Sequence, residues 1–444
     1  MLSLVRRFDP FPRRTPAGRW VAGAQLALFV GLMSVALWWS LTVSRRATVL
    51  FTLIPVVFLP FSYARLRLHA FLEAHLRPRQ MLLFLALGLL CDLVMAVQAV
   101  FARSEPPGWL VAPGINWVGA VWFSAHALLL LGFLAVGILR LGGRGVKRAV
   151  GSGAAETALP GVDGLSRREL LQKAGLVGVA VPFGISLSSV PLVYDFRIEE
   201  REIRLPHWPR ALDGLRVVHL SDIHVGGAMD RAHLSRVAEL ANRCRPDLVL
   251  HTGDFLTHRQ GDFDEPLYEA LASIRAPYGQ WACLGNHDYD DLPRLLKRMG
   301  DAGVTVLQDR TRRLEIAGEP LEIAGLDFVF DRLRRDRIYR ATVDAWQPRE
   351  GARILLNHDP TGFAQMPAGC ADLVLSGHTH GGHIGVQLDS SHAITVVGLA
   401  GIPDQGIFER GGMRMYVTRC VGFYGYPMRI GIPPEIALLT LRSA

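Results

Sequence analysis

The sequence predicts an α/β domain preceded by an all-α transmembrane region. Strand and helix patterns alternate over residues 201–444, which is typical of an α/β fold. Four long apolar runs precede them, and a helix needs roughly 20 apolar residues to cross a bilayer. Several predicted strands also end in clusters of Asp, Asn and His, at the sheet edge where open α/β folds bind ligands.

Composition agrees with this division of the chain. The protein has 444 residues, of which 50% are hydrophobic, and a formal net charge of +8. A chain of this length has room for two or three domains. Arginines that flank the apolar runs account for much of the positive charge, so we expect a membrane partner and no nucleic-acid partner.

The apolar runs predict a four-helix transmembrane region over residues 1–141. They are Trp20–Val43, Ala47–Tyr63, Met81–Phe101 and Val118–Leu139. Arginines cluster before the first run, between the second and third, and after the fourth, so the positive-inside rule places these segments in the cytoplasm. Asp92 and His126 lie at similar depths in the last two runs, where we expect a buried hydrogen bond or, alternatively, part of a proton or ion pathway.

A further membrane signal follows a linker. Residues 142–165 are rich in Gly, Ala and acidic residues and predict a cytoplasmic linker. Within residues 166–195, Arg167 and Arg168 precede a moderately hydrophobic stretch that resembles a twin-arginine export signal. An ordinary fifth membrane anchor has the same pattern, and a core helix of a cytoplasmic domain is the remaining alternative. Either membrane interpretation places the domain at residues 196–444 outside.

This last domain contains the α/β pattern. Short apolar runs bounded by turn residues predict five strands: Arg216–Leu220, Asp247–His251, Gly279–Leu284, Ile354–Leu356 and Leu373–Leu375. Amphipathic periodicity predicts helices between them: Arg231–Arg243, Asp264–Ile274 and Leu292–Ala302.

Each of the five strands is followed by potential metal ligands. In chain order these residues are Asp222 and His224, then Asp254, then Asn286, His287 and Asp288, then His358, and finally His378 and His380. Any one cluster has an ordinary explanation as a turn or a core histidine. Five of them at strand ends predict a metal centre, and nitrogen and oxygen ligands without thiolate favour Mn, Fe or Zn in a non-structural site.

In these residues the chain resembles the calcineurin-like metallophosphoesterases. The family pattern is D-x-H, G-D, G-N-H-[DE], H and G-H-x-H, and all five blocks are present here in that order. The resemblance covers the C-terminal half of the chain. It implies a β-sandwich of two mixed sheets flanked by helices, with two divalent metal ions at the strand ends.

The resemblance also implies residue roles. Asp222, His224 and His380 would hold one metal, and Asn286, His358 and His378 the other. Asp254 would bridge the two, because a carboxylate can share two cations and an imidazole cannot. His287 would contact the phosphoryl oxygens or protonate the leaving group, and Asp288 would orient His287.

Two other segments are candidates for substrate contact. The segment Tyr416–Leu441 resembles the end of a membrane-anchored or exported bacterial phosphodiesterase subgroup, which suggests Arg419 and Arg429 as phosphate contacts; structural arginines are the alternative. Phe328–Tyr339 predicts a cap over the site or a solvated helix. The five cysteines show no CxxC spacing and are expected to be buried thiols, although export would permit a Cys283–Cys420 bridge.

Together these features predict a membrane-anchored, dinuclear metal-dependent phosphoesterase. A phosphodiester is the expected substrate, lipid or cell-envelope linked, and the domain would lie on the periplasmic face of a bacterial inner membrane. One alternative is a pyrophosphatase acting on a nucleotide-linked lipid sugar, similar to UDP-diacylglucosamine hydrolases, whose site would lie in the cytoplasm. The other is a transporter or sensor with a regulatory phosphoesterase domain.

Overall fold

The computed structural model describes a large part of the chain. The described residues are 30, 68, 72, 77–101, 113–150, 167–226, 229–257, 264–346, 351–389, 392–425 and 427–444. The first two predicted spans fall outside them, apart from Val30 in the first, as do residues 151–165 of the predicted linker. The described chain forms two compact units, which divide near residue 188.

The N-terminal unit is helical. Its helices are α1 (Pro78–Phe101), α2 (Pro113–Val150) and α3 (Arg167–Leu192); the start of α2, up to Trp117, and the end of α3, from Ser188, belong to the second unit. Among the described residues, two segments are long and apolar enough to cross a membrane, Trp117–Gly137 and Gly175–Leu192. The α2 helix continues to Val150, so the first part of the predicted linker is helical.

The predicted polar contact between the third and fourth apolar runs involves a tryptophan. The indole Nε1 of Trp122 donates to Asp92 Oδ1 at 2.8 Å. His126 Nδ1 lies 2.8 Å from the carbonyl oxygen of Trp122, one helical turn earlier. Trp122 therefore contacts both Asp92 and His126, for which the sequence predicts a direct hydrogen bond. Its indole N–H gives the Asp92 carboxylate a hydrogen-bond donor between two apolar helices.

The second unit is built from strands. In chain order they are β1 (Arg197–Leu205), β2 (Leu215–Leu220), β3 (Leu248–His251), β4 (Gln280–Ala282), β5 (Val304–Val306), β6 (Arg310–Ile316), β7 (Glu319–Gly325), β8 (Ala352–Leu356), β9 (Leu373–Ser376), β10 (Gly385–Gln387), β11 (Ala393–Thr395), β12 (Gly406–Arg410), β13 (Met413–Val417) and β14 (Glu435–Ser443). Its helices are α4 (Arg231–Arg243), α5 (Glu265–Ser273), α6 (Leu292–Asp301), α7 (Arg332–Ala345) and α8 (Val396–Leu399).

The strands form two six-stranded mixed sheets. The first has the order β1-β14-β2-β3-β4-β5, with β14 antiparallel to β2 and the other neighbours parallel. The second has the order β12-β13-β9-β8-β7-β6, with antiparallel pairs at its two edges and parallel pairs in its centre. The expectation of two mixed sheets is confirmed. A separate antiparallel pair joins β10 to β11.

Apolar side chains from both sheets meet in one core. Val217, Leu250 and Leu439 of the first sheet pack with Ile323 and Ile354 of the second. Helices α4, α5 and α6 cover the outer face of the first sheet, and α7 covers that of the second. Because the inner parallel strands are buried on both faces, they are continuous apolar runs, which is why the sequence predicts them well.

Candidate metal centre

The carboxyl ends of five strands meet at one edge of the sandwich. Strands β2, β3 and β4 arrive from the first sheet, and β8 and β9 from the second. Three overlapping groups of side chains there have all their ligand atoms within 4.8 Å of one another. These groups are Asp222–His224–Asp254, Asp254–His358–His378 and Asp222–His380–Cys420.

Asp254 lies between the two sets of predicted ligands. Its Oδ2 is 3.5 Å from His224 Nε2 and 3.4 Å from His358 Nε2. Asp254 is also common to two of the three groups. The residue that the sequence proposes as a shared ligand is therefore central in the site.

The remaining ligands cluster on either side of it. On one side, His380 Nε2 lies 3.2 Å and His224 Nε2 3.8 Å from Asp222 Oδ1. On the other side, His358 Nε2 lies 3.2 Å from Asn286 Oδ1 and 3.0 Å from His378 Nδ1. All seven predicted ligands are thus brought together.

The cluster contains buried polar atoms that suit a cation. Within the described residues, Asp222 Oδ1 and His224 Nε2 have no hydrogen-bond partner although both side chains are buried. Buried polar atoms are normally satisfied, and an unpaired set of this kind fits a bound ion. Imidazole, carboxylate and amide donors suit Mn, Fe or Zn.

Backbone carbonyls orient three of the imidazoles. The Nδ1 of His358 donates to Thr252 O at 2.6 Å, that of His287 to Thr257 O at 3.1 Å, and that of His380 to Gly422 O at 3.4 Å. A carbonyl can only accept, so the proton lies on Nδ1. The Nε2 of each ring is left to face the site, which is how histidines that bind metals are usually held.

Burial and charge set the protonation of the cluster. Burial lowers the pKa of His224 to about 3 and that of His378 to about 4, so both rings are neutral near pH 7. Burial also opposes charge on His358, but the carboxylates of Asp254 and Asp222 outweigh it and raise its pKa to about 10. Two buried carboxylates therefore create a negative potential that favours a cation.

A buried relay of hydroxyls holds Asp222. Ser221 Oγ donates to Asp222 Oδ2 at 2.5 Å, and Thr252 Oγ1 donates to Ser221 Oγ at 2.7 Å. His219 Nε2 lies 2.9 Å from Thr252 Oγ1, whose proton is already given to Ser221, so His219 is the donor there. Burial lowers the pKa of His219 to about 3, which keeps the ring neutral and the relay uncharged.

Most of the predicted ligands have strained backbones. Asp222, His224, Asp254, His378 and His380 all have φ between 49° and 68°. Non-glycine residues rarely adopt this left-handed region, and strain of this kind collects at functional sites at a cost of about 1–3 kcal/mol per residue. Cys420 shares the conformation, with φ 63°.

Gly377 allows the loop after β9 to pass close to the loop after β2. A Cβ on Gly377 would lie 2.0 Å from Ser221 Oγ and 2.2 Å from Asp222 Oδ2. These distances are too short for any side chain, so glycine is required where the loop after β9 passes the loop after β2.

His287 lies beside the predicted ligands, whereas Asp288 makes different contacts from those expected. The backbone N–H of His287 donates to Asp254 Oδ1 at 2.8 Å, and its half-buried ring lies 5.2 Å from that of His224. The expectation that Asp288 orients the His287 ring needs correction. The Asp288 carboxylate instead accepts backbone N–H groups of Asp254, Gly285 and Phe255 at 2.8–2.9 Å, so it holds the ligand loops together.

The expected phosphate contacts of Arg419 and Arg429 are also corrected. Both arginines are buried, at 1% and 0% exposure. Arg419 pairs with Glu199 and Glu435, at 2.6 Å and 3.0 Å. Arg429 donates to the carbonyl oxygens of residues 380, 419, 420 and 422. Their guanidinium groups stabilise loops behind the site.

The predicted cap is present only in part. Phe328 lies at the site, with its ring 5.8 Å from that of His358. The following helix α7 packs on the second sheet through Tyr339 and Val343, and Arg335 bonds Asp359 at 2.7 Å. Hydrophobic burial of α7 against the sheet explains why it does not lie over the metal centre.

The sequence reasoning missed two residues. Cys420 follows β13, and its Sγ donates to Asp222 Oδ2 at 3.1 Å. Its position after a strand is the signal that could have revealed it. Tyr424 is 43% exposed, with its ring 4.6 Å from that of His287, in a glycine-rich loop without a local pattern. The five cysteines are free, so no Cys283–Cys420 bridge is present.

Two mixed sheets with an Asp, His and Asn cluster at their shared edge define a metallophosphoesterase fold and site. Residues 215–382 match the calcineurin-like phosphoesterase family. The chain is 30% identical over 248 residues to the uncharacterized metallophosphoesterase YkuE of Bacillus subtilis, covering 55% of this chain and 85% of that protein. It is also 30% identical over 358 residues to a transmembrane protein with metallophosphoesterase domain of Danio rerio, with 78% and 76% of the two chains covered.

A third relative has a named activity. The UDP-2,3-diacylglucosamine pyrophosphatase LpxG of Chlamydia trachomatis is 25% identical over 302 residues, covering 55% of this chain and 88% of that protein. With the fold and the ordered ligand blocks, these matches show that the chain belongs to the calcineurin-like metallophosphoesterases. Members of this family are metal-dependent hydrolases of phosphate esters.

Proposed function

We propose that the chain is a membrane-anchored phosphoesterase that uses two divalent metal ions to hydrolyse a phosphodiester. The observation that carries this proposal is the position of Asp254 between two groups of ligands, 3.5 Å from His224 and 3.4 Å from His358. A single carboxylate so placed can serve two cations at once. Mn, Fe and Zn all suit the donors.

The ligands divide into two sets under this proposal. Asp222, His224 and His380 hold one ion, Asn286, His358 and His378 hold the other, and Asp254 serves both. Two bound ions would activate a water for attack on phosphorus and neutralise the phosphoryl oxygens. The neutral amide of Asn286 limits the negative charge that an anionic substrate meets.

His287 is the proposed general acid. Its Nδ1 proton is given to Thr257 O, so its Nε2 is the atom that can hold a proton for a leaving-group oxygen. Its backbone N–H bonds Asp254, which fixes the ring position relative to the ligands. A positioned acid of this kind contributes about 10²–10⁴-fold to rate.

We place the phosphoesterase domain at a membrane surface. The segments Trp117–Gly137 and Gly175–Leu192 are apolar enough to span a bilayer, and a similar protein of Danio rerio is named as a transmembrane protein. Arg167 and Arg168 at the start of α3 favour a cytoplasmic position for that end of the helix. The domain after Asp195 would then lie on the periplasmic face of a bacterial inner membrane, with an envelope or lipid phosphodiester as substrate.

The proposal is tested by hydrolysis of chromogenic esters. The detergent-solubilised full chain is assayed with Mn²⁺ on a phosphodiester and on the matching monoester, beside the Asp254→Asn variant. We expect diester cleavage that the substitution abolishes. Cleavage of the monoester alone would contradict the diesterase assignment, and activity that is equal in the variant would contradict the metal centre.

The similarity to LpxG favours one alternative, a pyrophosphatase acting on a nucleotide-linked lipid sugar. Such a nucleotide substrate is cytoplasmic, so the orientation of the domain separates the two functions. A reporter enzyme that is active only outside the cytoplasm is fused after Ala444. Reporter activity supports the envelope phosphodiesterase, and its absence with stable expression of the fusion supports the pyrophosphatase.

A further inference from the structure

The hairpin formed by β10 and β11 exposes aliphatic side chains and buries a polar one, the reverse of the usual arrangement. Val386 and Ile394 are directly paired across the two strands, so their side chains share one face, and both are more than half exposed. Leu388 and Val396, which directly follow β10 and β11, are also exposed, at 62% and 54%. We call these four residues the apolar hairpin face.

The polar side of the same hairpin is turned inward. Thr395 is 1% exposed, and its hydroxyl donates to Asp404 and accepts from the backbone N–H of Gly398 at 2.9 Å. Gln387 lines a cleft of about 270 Å³. A hairpin that buries Thr395 and exposes aliphatic side chains presents an apolar surface, and such surfaces mark sites of contact with a partner or a membrane.

That partner is suggested by what lies beside the hairpin. The cleft that Gln387 and Asp389 line is also lined by Leu192, the last residue of the candidate span Gly175–Leu192. Only residues 193–196 separate α3 from β1, and Val193 is fully buried in the core of the domain. Because a residue adds at most about 3.6 Å, this short link keeps β1 close to the end of the span, and the shared cleft places the hairpin beside the same end.

We propose that the apolar hairpin face inserts into the membrane surface at which α3 ends. This inference rests on the proposed membrane anchor, and it is independent of the reaction. An interfacial element of this kind buries its apolar side about 5–10 Å into the headgroup and acyl boundary. Residues 384–408 contain no Lys or Arg, so the contact is hydrophobic and not an attraction to anionic headgroups.

The hairpin also continues directly from the metal centre. His380 is a proposed ligand, its ring centroid lies 4.7 Å from that of His383, and β10 begins at Gly385. Insertion of the hairpin would therefore hold the mouth of the site at the depth of lipid phosphates. Phosphoesters that are carried on a lipid or bound at the membrane would then be the substrates that reach the metal centre.

The test is fluorescence quenching in the full chain. The protein is reconstituted in phosphatidylcholine vesicles with an environment-sensitive dye on Leu388→Cys or, separately, Ile394→Cys. Lys297→Cys, on an exposed side chain of α6, is the matched solvent control, and the unsubstituted chain gives the labelling background of the native cysteines. Val177→Cys in α3 reports on the anchor itself.

We expect nitroxide groups near the lipid headgroups to remove most of the fluorescence at positions 388 and 394 and little at 297, with no effect of added salt. Quenching at 388 and 394 by aqueous iodide alone would overturn the proposal. Protection from both quenchers would also overturn it, in favour of a second copy or another protein. Failure of lipid quenching at 177 would instead contradict the anchor proposed above.

Discussion

At the scale of single residues, charge and geometry distinguish ligands from supporting groups. The carboxylate of Asp254 faces imidazoles on both sides, whereas His287 contacts the cluster through its backbone N–H. Asp222 likewise offers a carboxylate to a cation, whereas the hydroxyls of Ser221 and Thr252 behind it only hold that carboxylate in place. These differences lead to two predictions.

Asp254→Asn and His287→Ala should have different effects. Asn keeps one oxygen but loses the charge that serves both cations, so we expect loss of bound metal and of nearly all activity. His287→Ala should retain metal and lose about 10²–10⁴-fold in kcat, as expected for a general acid. Metal analysis and steady-state kinetics on the same preparations measure both. Equal metal loss in the two variants would contradict this division of roles.

Thr252→Val should weaken metal binding without unfolding the protein. Valine keeps the shape and the carbonyl that accepts from His358, but it breaks the hydrogen-bond relay from His219 to Asp222. Loss of such a supporting partner typically costs 10–100-fold in metal affinity, and we expect about that loss. Competition with a metal chelator measures it, and Thr305→Val at an exposed site of β5 is the control. An unchanged affinity would show that the relay does not position Asp222.

At the scale of elements, the strands carry the ligands and the loops behind them set the spacing. Gly377 is where two ligand loops pass each other, and Arg429 ties four carbonyl groups of the loops after β9 and β13. Neither residue is a ligand under the proposed assignment. Both should nevertheless affect the centre through backbone position.

Gly377→Ala should disrupt the site. The new methyl group would overlap Ser221 Oγ and Asp222 Oδ2, so one of the two loops must move. We expect substantial loss of bound metal and activity, measured by metal analysis and hydrolysis. Gly300→Ala in α6 is the matched control, since a Cβ there meets nothing within 4 Å and alanine favours a helix. Full metal content in Gly377→Ala would contradict the close approach of the loops.

Arg429→Gln should destabilise the fold without weakening substrate binding. Each carbonyl left unsatisfied costs about 1–3 kcal/mol, so we expect a lower unfolding temperature. The KM for a phosphodiester should remain close to that of the unsubstituted chain, because the side chain is buried. Arg236→Gln on an exposed helix face is the control. A raised KM with unchanged thermal unfolding would restore the substrate role of Arg429.

Sequence patterns predicted the parts of this fold that depend on local signals. Helix α4 begins and ends where its amphipathic period predicts, at Arg231 and Arg243, and the five predicted strands are present with small shifts at their ends. Polar residues after those strands identified the ligand cluster. Local patterns do not encode the contacts that support this cluster. The carbonyls that orient His358 and His380, and the amides of residues 254 and 255 that bind Asp288, come from distant segments.

At the scale of the whole molecule, an apolar helical region precedes a domain of the metallophosphoesterase family in one chain. Helix α3 ends at Leu192 and β1 begins at Arg197, so four residues connect the candidate span to the first strand. The order of strands in the two sheets brings ligands from residues 222 to 380 to one edge. A centre that binds two metal ions through Asp254 is the central claim.

Electron paramagnetic resonance of the Mn²⁺-loaded full chain tests this claim most directly. Ions held about 3.5–4 Å apart should couple magnetically and replace the hyperfine pattern of an isolated Mn²⁺ ion. We predict two Mn²⁺ per chain with a coupled signal, and loss of that coupling in Asp254→Asn. One Mn²⁺ per chain with the signal of an isolated ion, in an active preparation, would contradict the dinuclear centre.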